Sequence, residues 1–196
     1  MKCLSLKQRF EPYRDLIVFI VTLLVANYAW KWTMNGDDYG SQVTWLGLDV
    51  TAPFEFMACH VASAVFWLVS LFRDTVSMPD EHTIRFASGS GTTIVWACSG
   101  LKQSFIWFCL ILTVQPAKAS ANDRLWLHKL WYIPLGWVVC YAVNILRLFA
   151  IAMRIEHHPE WFHLLHDYVF KYLFYAILFG MWVIFVEKIR PLSLSH

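Results

Sequence analysis

Long apolar runs constrain this chain of 196 residues more than any other feature of its sequence. An α-helix needs about 20 mostly apolar residues to cross the hydrocarbon core of a bilayer. Four runs approach or exceed that length, and they cover residues 15–33, 99–116, 130–153 and 166–187. The composition agrees, because 58% of the residues are hydrophobic and only 15% are charged. The runs therefore predict an all-α integral membrane protein.

A fifth apolar run, 53–72, is as long as the others but carries polar residues along its length, namely Glu55, His60, Ser63 and Ser70. This pattern favours a helix that lies in the membrane interface or re-enters the membrane without crossing it. Residues 82–97 place β-branched residues on both sides of Ser88-Gly89-Ser90-Gly91, which predicts a hairpin or extended loop before Cys98. We expect a bundle of four to five transmembrane helices with an interfacial helix.

Basic residues indicate the orientation of the bundle. If 53–72 does not cross, nine of them fall on one side, namely Lys2, Lys7, Arg9, Arg14, Lys118, Arg124, Lys129, Lys188 and Arg190. The positive-inside rule makes that side the cytoplasm. We therefore expect a multi-pass plasma (inner) membrane protein with both ends inside, a transmembrane domain over 1–188 and a short cytoplasmic tail over 189–196.

Three polar residues are predicted to meet at the extracytoplasmic surface. Cys98 precedes the 99–116 run, Arg147 lies near the outer end of the next run, and His166 begins the last run. A thiolate is nucleophilic and a helix N-terminus lowers its pKa. A histidine passes protons near neutral pH, and a buried arginine stabilises negative charge. Together these side chains suit nucleophilic catalysis.

Two neighbours are predicted to support this site. Asn144 lies three residues before Arg147 on the same helical face, where it would orient the guanidinium, and Lys102 would add positive charge one turn after Cys98. Residue types alone leave plain alternatives open. Cys98 would be structural, Arg147 would reach lipid headgroups, and His166 is one of four histidines, the others being His157, His158 and His163.

The three segments together resemble the exosortase/archaeosortase family. Ala97-Cys98-Ser99-Gly100-Leu101-Lys102 is similar to that family's cysteine signature, and Asn144-Ile145-Leu146-Arg147 to its N-x-x-R segment. His166 and the aromatic residues after it are similar to a third block. Two positions depart from the family pattern: Lys102 stands where Arg is more usual, and Val169-Phe170-Lys171 where Gly is frequent.

The resemblance implies a membrane-embedded cysteine transpeptidase that acts without a cofactor or a metal. Its partners would be membrane lipids and secreted proteins that end in a short motif, a transmembrane helix and a basic tail. By this resemblance Cys98 forms an acyl-enzyme, Arg147 stabilises negative charge and His166 transfers protons, with Ser99 and Gly100 completing the cysteine motif. The small net charge of +2 does not favour nucleic acid as a partner.

Two other functions remain open from the sequence. A metal-dependent membrane hydrolase would use His157, His158 and His163 with Glu160 or Asp167, although no H-E-x-x-H motif is present. A non-enzymatic transporter or assembly scaffold would use Arg147 as a buried structural charge. Loss of function on removal of Cys98 separates the transpeptidase from the scaffold, and metal content identifies the hydrolase.

Overall fold

A computed structural model describes residues 13–33, 43–116 and 122–190 of the chain. The protein is mostly helical, at 74%, which confirms the predicted helical class. Its helices are α1 (Arg14–Thr33), α2 (Ala52–Ser70), α3 (Leu101–Thr113), α4 (Asn122–Ile155) and α5 (Phe170–Ile184). Its strands are β1 (Thr44–Trp45), β2 (Leu48–Asp49), β3 (Val76–Asp80), β4 (Thr83–Phe86) and β5 (Gly91–Thr93). Short 3₁₀ turns at Trp96–Cys98 and Pro159–Trp161 and π-helical turns at Leu164–Val169 and Phe185–Ile189 complete the described elements.

Four helical stretches are long and apolar enough to cross a membrane, namely 14–33, 52–70, 124–155 and 164–189. Three of them correspond to predicted spans. The predicted span at 99–116 is wrong in length, because α3 has only 13 residues, or about 20 Å at 1.5 Å per residue. The run at 53–72 forms α2, which has the length and apolarity of a span. Several residues used for the orientation, Lys2, Lys7, Arg9 and Lys118, and most of the tail, 191–196, lie outside the described residues.

One end of the molecule is a bundle of α1, α3, the first half of α4 and α5. We call its apolar centre the inner cluster, and its largest members are Phe19, Trp107, Tyr132, Phe174, Trp182 and Phe185. Helices α1 and α5 run antiparallel, because Asp15 at the start of α1 forms an ion pair with Arg190, just after the end of α5, at 2.7 Å. Helix α1 buries only Phe19 and Ala26 and exposes many of its apolar side chains, which is typical of a helix facing lipid.

The short helix α3 ends inside this bundle, where a lysine of α4 caps its last carbonyls. Lys129 is 4% exposed, and its Nζ donates to the carbonyls of Leu112 at 2.8 Å and Val114 at 2.7 Å. The last carbonyls of a helix have no partner within the helix, so these bonds satisfy groups that would otherwise be buried without one. Lys129 therefore lies within α4 as a structural residue, and it does not mark a cytoplasmic loop.

The other end of the molecule is built on α2, the sheet β3–β5 and the second half of α4. We call its apolar centre the outer cluster; it contains Ala58, Val61, Ala62, Val65, Val69, Ile84, Phe86, Ile94, Leu148 and Ala152. The five α2 residues recur at helical spacing and form one buried stripe. Helix α4 joins the two ends, because its 34 residues span about 51 Å, well beyond a hydrocarbon core of about 30 Å.

Helix α2 lies at the outer end of the bundle along its whole length. Near its start, Phe54 packs against Trp30 at the outer end of α1, with ring centroids 5.3 Å apart. Just beyond its end, Phe72 packs against Phe149 and Arg73 pairs with Glu156 at 2.7 Å, near the end of α4. Between these two contacts, the buried stripe of α2 packs against the β3–β5 sheet and the second half of α4.

The predicted hairpin before Cys98 is confirmed, because β4 and β5 pair antiparallel across the turn at residues 87–90. The extended loop is nevertheless more than a hairpin. Strand β3, which the sequence did not predict, pairs with β4 and makes a three-stranded sheet in the order β3-β4-β5. Pro79 lies in β3, and an edge strand tolerates its missing N–H.

Candidate active site

The Cys98 segment joins the outer sheet to α3 through a tight turn. The Cys98 amide donates to the Val95 carbonyl at 2.8 Å, and the Ser99 amide to the Trp96 carbonyl at 3.1 Å. Gly100 then takes a left-handed conformation, with φ of 81°, and α3 begins at Leu101. Only glycine adopts this φ without strain, so the turn explains the glycine of the motif.

This turn corrects the predicted place of Lys102. The prediction assumed one continuous helix from Cys98, in which residues four apart share a face. The left-handed residue at Gly100 separates Cys98 from the helix, so that spacing does not apply across it. Lys102 lies half-buried in the first turn of α3.

Asn144 fixes the Cys98 segment to α4. It is fully buried, and its Nδ2 donates to the Cys98 carbonyl at 2.8 Å. A Cβ added at Gly100 would approach the Asn144 Nδ2 to 3.1 Å, so a side chain there would press on the same amide. The amide of Asn144 thus positions the backbone of Cys98, which differs from the predicted role of orienting Arg147.

Arg147 is buried beside the cysteine. Its residue exposure is 8%, and its Nε has no hydrogen-bond partner among the described residues. Within the described part of the chain it has no carboxylate partner, and the Cys98 side chain is the group with which it interacts electrostatically. This burial contradicts the alternative in which Arg147 extends to lipid headgroups. A buried cation without a counter-ion is the arrangement expected of a functional residue.

The Cys98 thiol is half-buried and its ionisation reflects two opposed influences. Burial raises the pKa of the thiol above its ordinary value, and the neighbouring Arg147 guanidinium and a hydrogen bond between the thiol and the Val95 backbone lower it in part. The prediction that a helix N-terminus lowers this pKa is therefore wrong, because Cys98 precedes the start of α3 and burial is the larger influence. The cation that favours the thiolate comes from α4.

His166 lies in the π-helical turn that leads into α5, half-buried, with its ring stacked on Phe162 at a centroid distance of 5.1 Å. The Tyr132 hydroxyl donates to the Met181 carbonyl at 2.9 Å, which sets the relative heights of α4 and α5. Arg147 lies 15 residues after Tyr132 and His166 lies 15 residues before Met181. His166 therefore lies toward the same end of the bundle as Arg147.

The remaining motif residues support the turn. Ser99 is buried at 3% exposure, and its Oγ accepts a bond from the Leu101 amide at 3.4 Å. Ser104 donates from its amide and its hydroxyl to the Gly100 carbonyl, at 3.2 and 3.3 Å. Both serines thus form hydrogen bonds with backbone groups at the start of α3.

Two further residues beside Cys98 carry buried polar atoms without partners among the described residues. These atoms are the Trp96 Nε1 and the Gln103 Oε1. Sequence inspection did not select either residue, although both lie within five positions of Cys98. Buried polar groups are nearly always satisfied in folded proteins, by protein groups or by ordered water, so these two atoms would need a water or another molecule as partner.

The histidines of the competing metal-site hypothesis face different partners. His158 pairs with Glu160 at 3.0 Å, and His157 lies 3.6 Å from Glu156. Across residues 13–33, 43–116 and 122–190, no group of three or more His, Cys, Asp and Glu side chains is arranged to hold a metal ion. The side chain of Asp167 lies outside the described ones.

An apolar groove opens beside the site. It has a volume of about 720 Å³ and runs between the outer end of α1, the start of α2, α3 and the middle of α4. Ser99 and Gly100 form part of its wall, so the groove is continuous with the Cys98 turn. Its other walls are mainly aromatic, including Trp30, Phe54, Phe105 and Trp137.

Comparisons with protein-family models, with curated proteins and with solved structures find no match to this chain.

Proposed function

We propose that the protein is a membrane-embedded cysteine peptidase or transpeptidase that acts at the extracytoplasmic side of the plasma membrane. The observation that carries the proposal is the burial of the Arg147 guanidinium near the Cys98 thiol, close enough for the cation to lower the pKa of the thiol, with no other charged partner of Arg147 among the described residues. The resemblance of the Cys98, Asn144–Arg147 and His166 segments to the exosortase/archaeosortase family supports the same chemistry.

In the first step the Cys98 thiolate attacks the carbonyl carbon of the scissile peptide bond. A C–S bond forms, and the carbonyl π electrons move to the oxygen, which becomes an oxyanion. Arg147 stabilises this negative charge, because a preorganised cation in a dry site needs little rearrangement. His166 donates a proton to the leaving amine as the C–N bond breaks, which leaves a thioester on Cys98.

In the second step an acceptor releases the acyl group. His166 takes a proton from an amine, a hydroxyl or water, which attacks the thioester carbonyl and expels the thiolate. Transfer to an amine or hydroxyl on a lipid or glycan anchors the substrate at the cell surface, and transfer to water is hydrolysis. The substrate class follows the resemblance: secreted proteins with a C-terminal motif, a transmembrane helix and a basic tail.

The decisive test is removal of the thiol. We expect Cys98→Ala and Cys98→Ser to abolish processing of the cognate secreted protein, because neither side chain forms a thioester. Processing is followed by the mass shift of the substrate in membranes. Mass spectrometry of the wild type should find a thioester-linked peptide on Cys98.

The matched control is Cys109→Ala, which removes a half-buried thiol from α3 on the same polypeptide. It should retain the processing activity of the wild type. Normal processing in Cys98→Ala, with the protein present in the membrane at wild-type level, would overturn the assignment of the nucleophile and would favour the scaffold. A membrane-impermeant thiol reagent should reach Cys98 from outside; labelling from the cytoplasmic side alone contradicts the orientation.

A further inference from the structure

The groove beside the Cys98 turn is about as deep as one leaflet of a bilayer. Along α3 its wall runs from Gly100 at the outer end to Phe108, a distance of about 12 Å at 1.5 Å per residue. Half of a hydrocarbon core of about 30 Å is about 15 Å. The groove therefore follows the outer half of the bundle and not its whole length.

Toward the inner end the groove stops at an aromatic pair. Phe108 and Trp137 both line it, and their ring centroids lie 6.5 Å apart. Helix α3 continues from there to Thr113, whose hydroxyl accepts a bond from the Thr22 hydroxyl of α1 at 3.3 Å. A spanning helix extends across the whole core, whereas a lipid chain ends within its own leaflet, so the depth of the groove fits a lipid chain.

The groove opens sideways to the surroundings of the bundle. Three of its lining side chains are large, apolar and exposed, namely Phe105 at 38%, Trp137 at 47% and Val138 at 64%. Trp137 and Val138 belong to α4, which is long and apolar enough to cross a membrane. In a bilayer the surroundings at this depth are lipid, so a lipid chain enters the groove without passing through protein.

Three polar groups of the groove wall are already bonded within the protein. The Ser104 hydroxyl donates to the Gly100 carbonyl at 3.3 Å, and the Trp137 Nε1 donates to the Ser104 carbonyl at 3.2 Å. The Ser99 Oγ accepts a bond from the Leu101 amide at 3.4 Å. A hydrocarbon chain leaves these bonds intact, whereas water in an apolar site lacks the polar partners that it needs.

The outer mouth of the groove lies at the level of the lipid headgroups. Trp30 lines the groove near the end of α1, and Trp32 beside it is 86% exposed. Tryptophan side chains collect at the membrane–water interface, where one ring meets both lipid and water. Phe54 packs between Trp30 and Trp96, at centroid distances of 5.3 and 6.0 Å. Because Trp96 is two residues before Cys98, a headgroup at this mouth lies beside the Cys98 turn.

We propose that the groove binds one hydrocarbon chain of an outer-leaflet phospholipid and holds its headgroup beside the Cys98 turn. Binding of the lipid is independent of the proposed function, whereas its part in catalysis rests on that function. Once Cys98 carries an acyl group, a headgroup amine or hydroxyl at this place is the acceptor. Its nitrogen or oxygen bonds the acyl carbon, the C–S bond breaks and its proton passes to His166.

The first measurement is the retention of lipid by the full-length protein. The protein is reconstituted in vesicles of palmitoyl-oleoyl phosphatidylethanolamine and phosphatidylcholine, extracted in detergent and analysed by native mass spectrometry. We expect the wild type to retain a phospholipid and Val138→Trp to lose it, because the indole fills the groove. The matched control is Val25→Trp on α1, since Val25 is 61% exposed but does not line the groove. It should retain the lipid.

A comparison of lipids in the wild type does not depend on any variant. Dihexanoyl phosphatidylcholine has the same headgroup as the palmitoyl-oleoyl lipid, but its chains are too short to fill the groove. We expect the wild type to retain much less of the dihexanoyl lipid. Equal retention of the two would show that the headgroup, and not the chain, is bound, and would overturn the proposal.

The second measurement locates the headgroup with a lipid reagent. A phosphatidylethanolamine whose amine carries a chloroacetyl group alkylates a thiolate as a C–S bond forms and chloride leaves. Chloroacetone is the reference reagent without a chain, and it should label Cys98 alike in the wild type and both variants. We expect the rate of Cys98 labelling by the lipid reagent, relative to chloroacetone, to fall in Val138→Trp and to keep the wild-type ratio in Val25→Trp.

Equal lipid retention by the wild type and Val138→Trp, or an equal ratio of labelling rates, would overturn the proposal. Loss of lipid on addition of a synthetic leucine–alanine helix that spans the vesicle bilayer would also overturn it, because that result assigns the groove to the membrane segment of the substrate. Lipid retention without any thioester on Cys98 would keep the lipid site and reject the peptidase. A thioester without lipid retention would do the reverse.

Discussion

The two ends of this molecule are both apolar, but they are packed by different means. The inner cluster is filled by large rings: Trp107 packs against Tyr132, and Tyr132 against Phe185, with centroid distances of 5.5 and 4.9 Å. The outer cluster is built from small and β-branched residues of α2, including Ala58, Ala62 and Val65, laid on a sheet. We expect the tightly packed rings of the inner cluster to tolerate little added volume. The outer cluster depends instead on the hydrogen-bonded pairing of strands β3, β4 and β5.

The candidate active site lies at the seam between these two ends. Cys98 packs against the outer cluster, and α3, which begins three residues later, packs in the inner one. Helix α4 crosses the seam and carries Asn144 and Arg147 at the level of Cys98. The geometry of a site in this position depends on the packing of both clusters, so a change in either cluster should alter it.

Gly136→Ala should break the inner cluster and have the largest effect on stability. A Cβ at this position would lie 1.8 Å from the Trp107 Nε1 and 2.1 Å from its Cε2, inside the indole ring. Because Trp107 is fully buried, the ring has no room to move. We expect a loss of about 3 kcal/mol, typical of overpacking, measured as a fall in the unfolding temperature of the detergent-solubilised protein.

Gly180→Ala is the matched control on α5, since a Cβ there would have no heavy atom within 4 Å. It should leave the unfolding temperature unchanged or raise it slightly, because alanine favours a helix. Equal effects of the two substitutions would show that the inner cluster accommodates the added Cβ and that its packing around Trp107 is not tight.

Gly100→Ala should disturb the seam directly. Alanine is strained at a φ of 81°, at a cost of about 1–3 kcal/mol, and its Cβ would press on the Asn144 amide. We expect the labelling of Cys98 by chloroacetone and the processing of substrate both to fall, because the bond to the Cys98 carbonyl is displaced.

Gly89→Ala separates the strain of the backbone from the contact with Asn144. Gly89 has a φ of 86° but no heavy atom within 4 Å of an added Cβ, and it lies in the outer hairpin. It should lower stability by the strain alone and leave the reactivity of Cys98 intact. If Gly89→Ala reduced that reactivity as strongly, the site would depend on the outer end as a whole and not on Asn144.

The pH dependence of Cys98 labelling tests the contribution of α4 to the seam. Because burial raises the pKa of the thiol, labelling in the wild type should keep rising above the pH at which an ordinary thiol is fully ionised. Arg147 lowers this pKa, so Arg147→Gln should move the profile to still higher pH. A shift to lower pH, or none, would contradict the assigned interaction between the two side chains.

Arg73→Gln should have the smallest effect, although it removes an outer ion pair with Glu156 at 2.7 Å. The Arg73 side chain is 37% exposed, and partly exposed pairs contribute at most about 1 kcal/mol. We expect a small fall in unfolding temperature that disappears at high salt. A larger loss that persists in salt would show that this contact, and not apolar packing, joins α2 to α4.

Local patterns in the sequence were sufficient for several features. Apolar runs located α1, α4 and α5, since crossing a bilayer requires length and apolarity that single segments display. The β-branched residues around Ser88–Gly91 located the β4–β5 hairpin. The order of Cys98, Arg147 and His166 suggested the candidate site, and their side-chain chemistry suggested its roles. The helices and the hairpin depend on neighbouring residues in the chain, which is why local patterns reveal them.

Only the tertiary structure decided how these pieces meet, because packing depends on contacts between residues far apart in sequence. It showed that α3 is short and capped by Lys129, that α2 lies on a three-stranded sheet, and that Asn144 holds the Cys98 carbonyl. It also placed Arg147 inside the protein. Burial raises the pKa of the Cys98 thiol, and the Arg147 guanidinium is the largest influence that lowers it again. Periodicity reports which face of a helix is apolar, but not which element covers it.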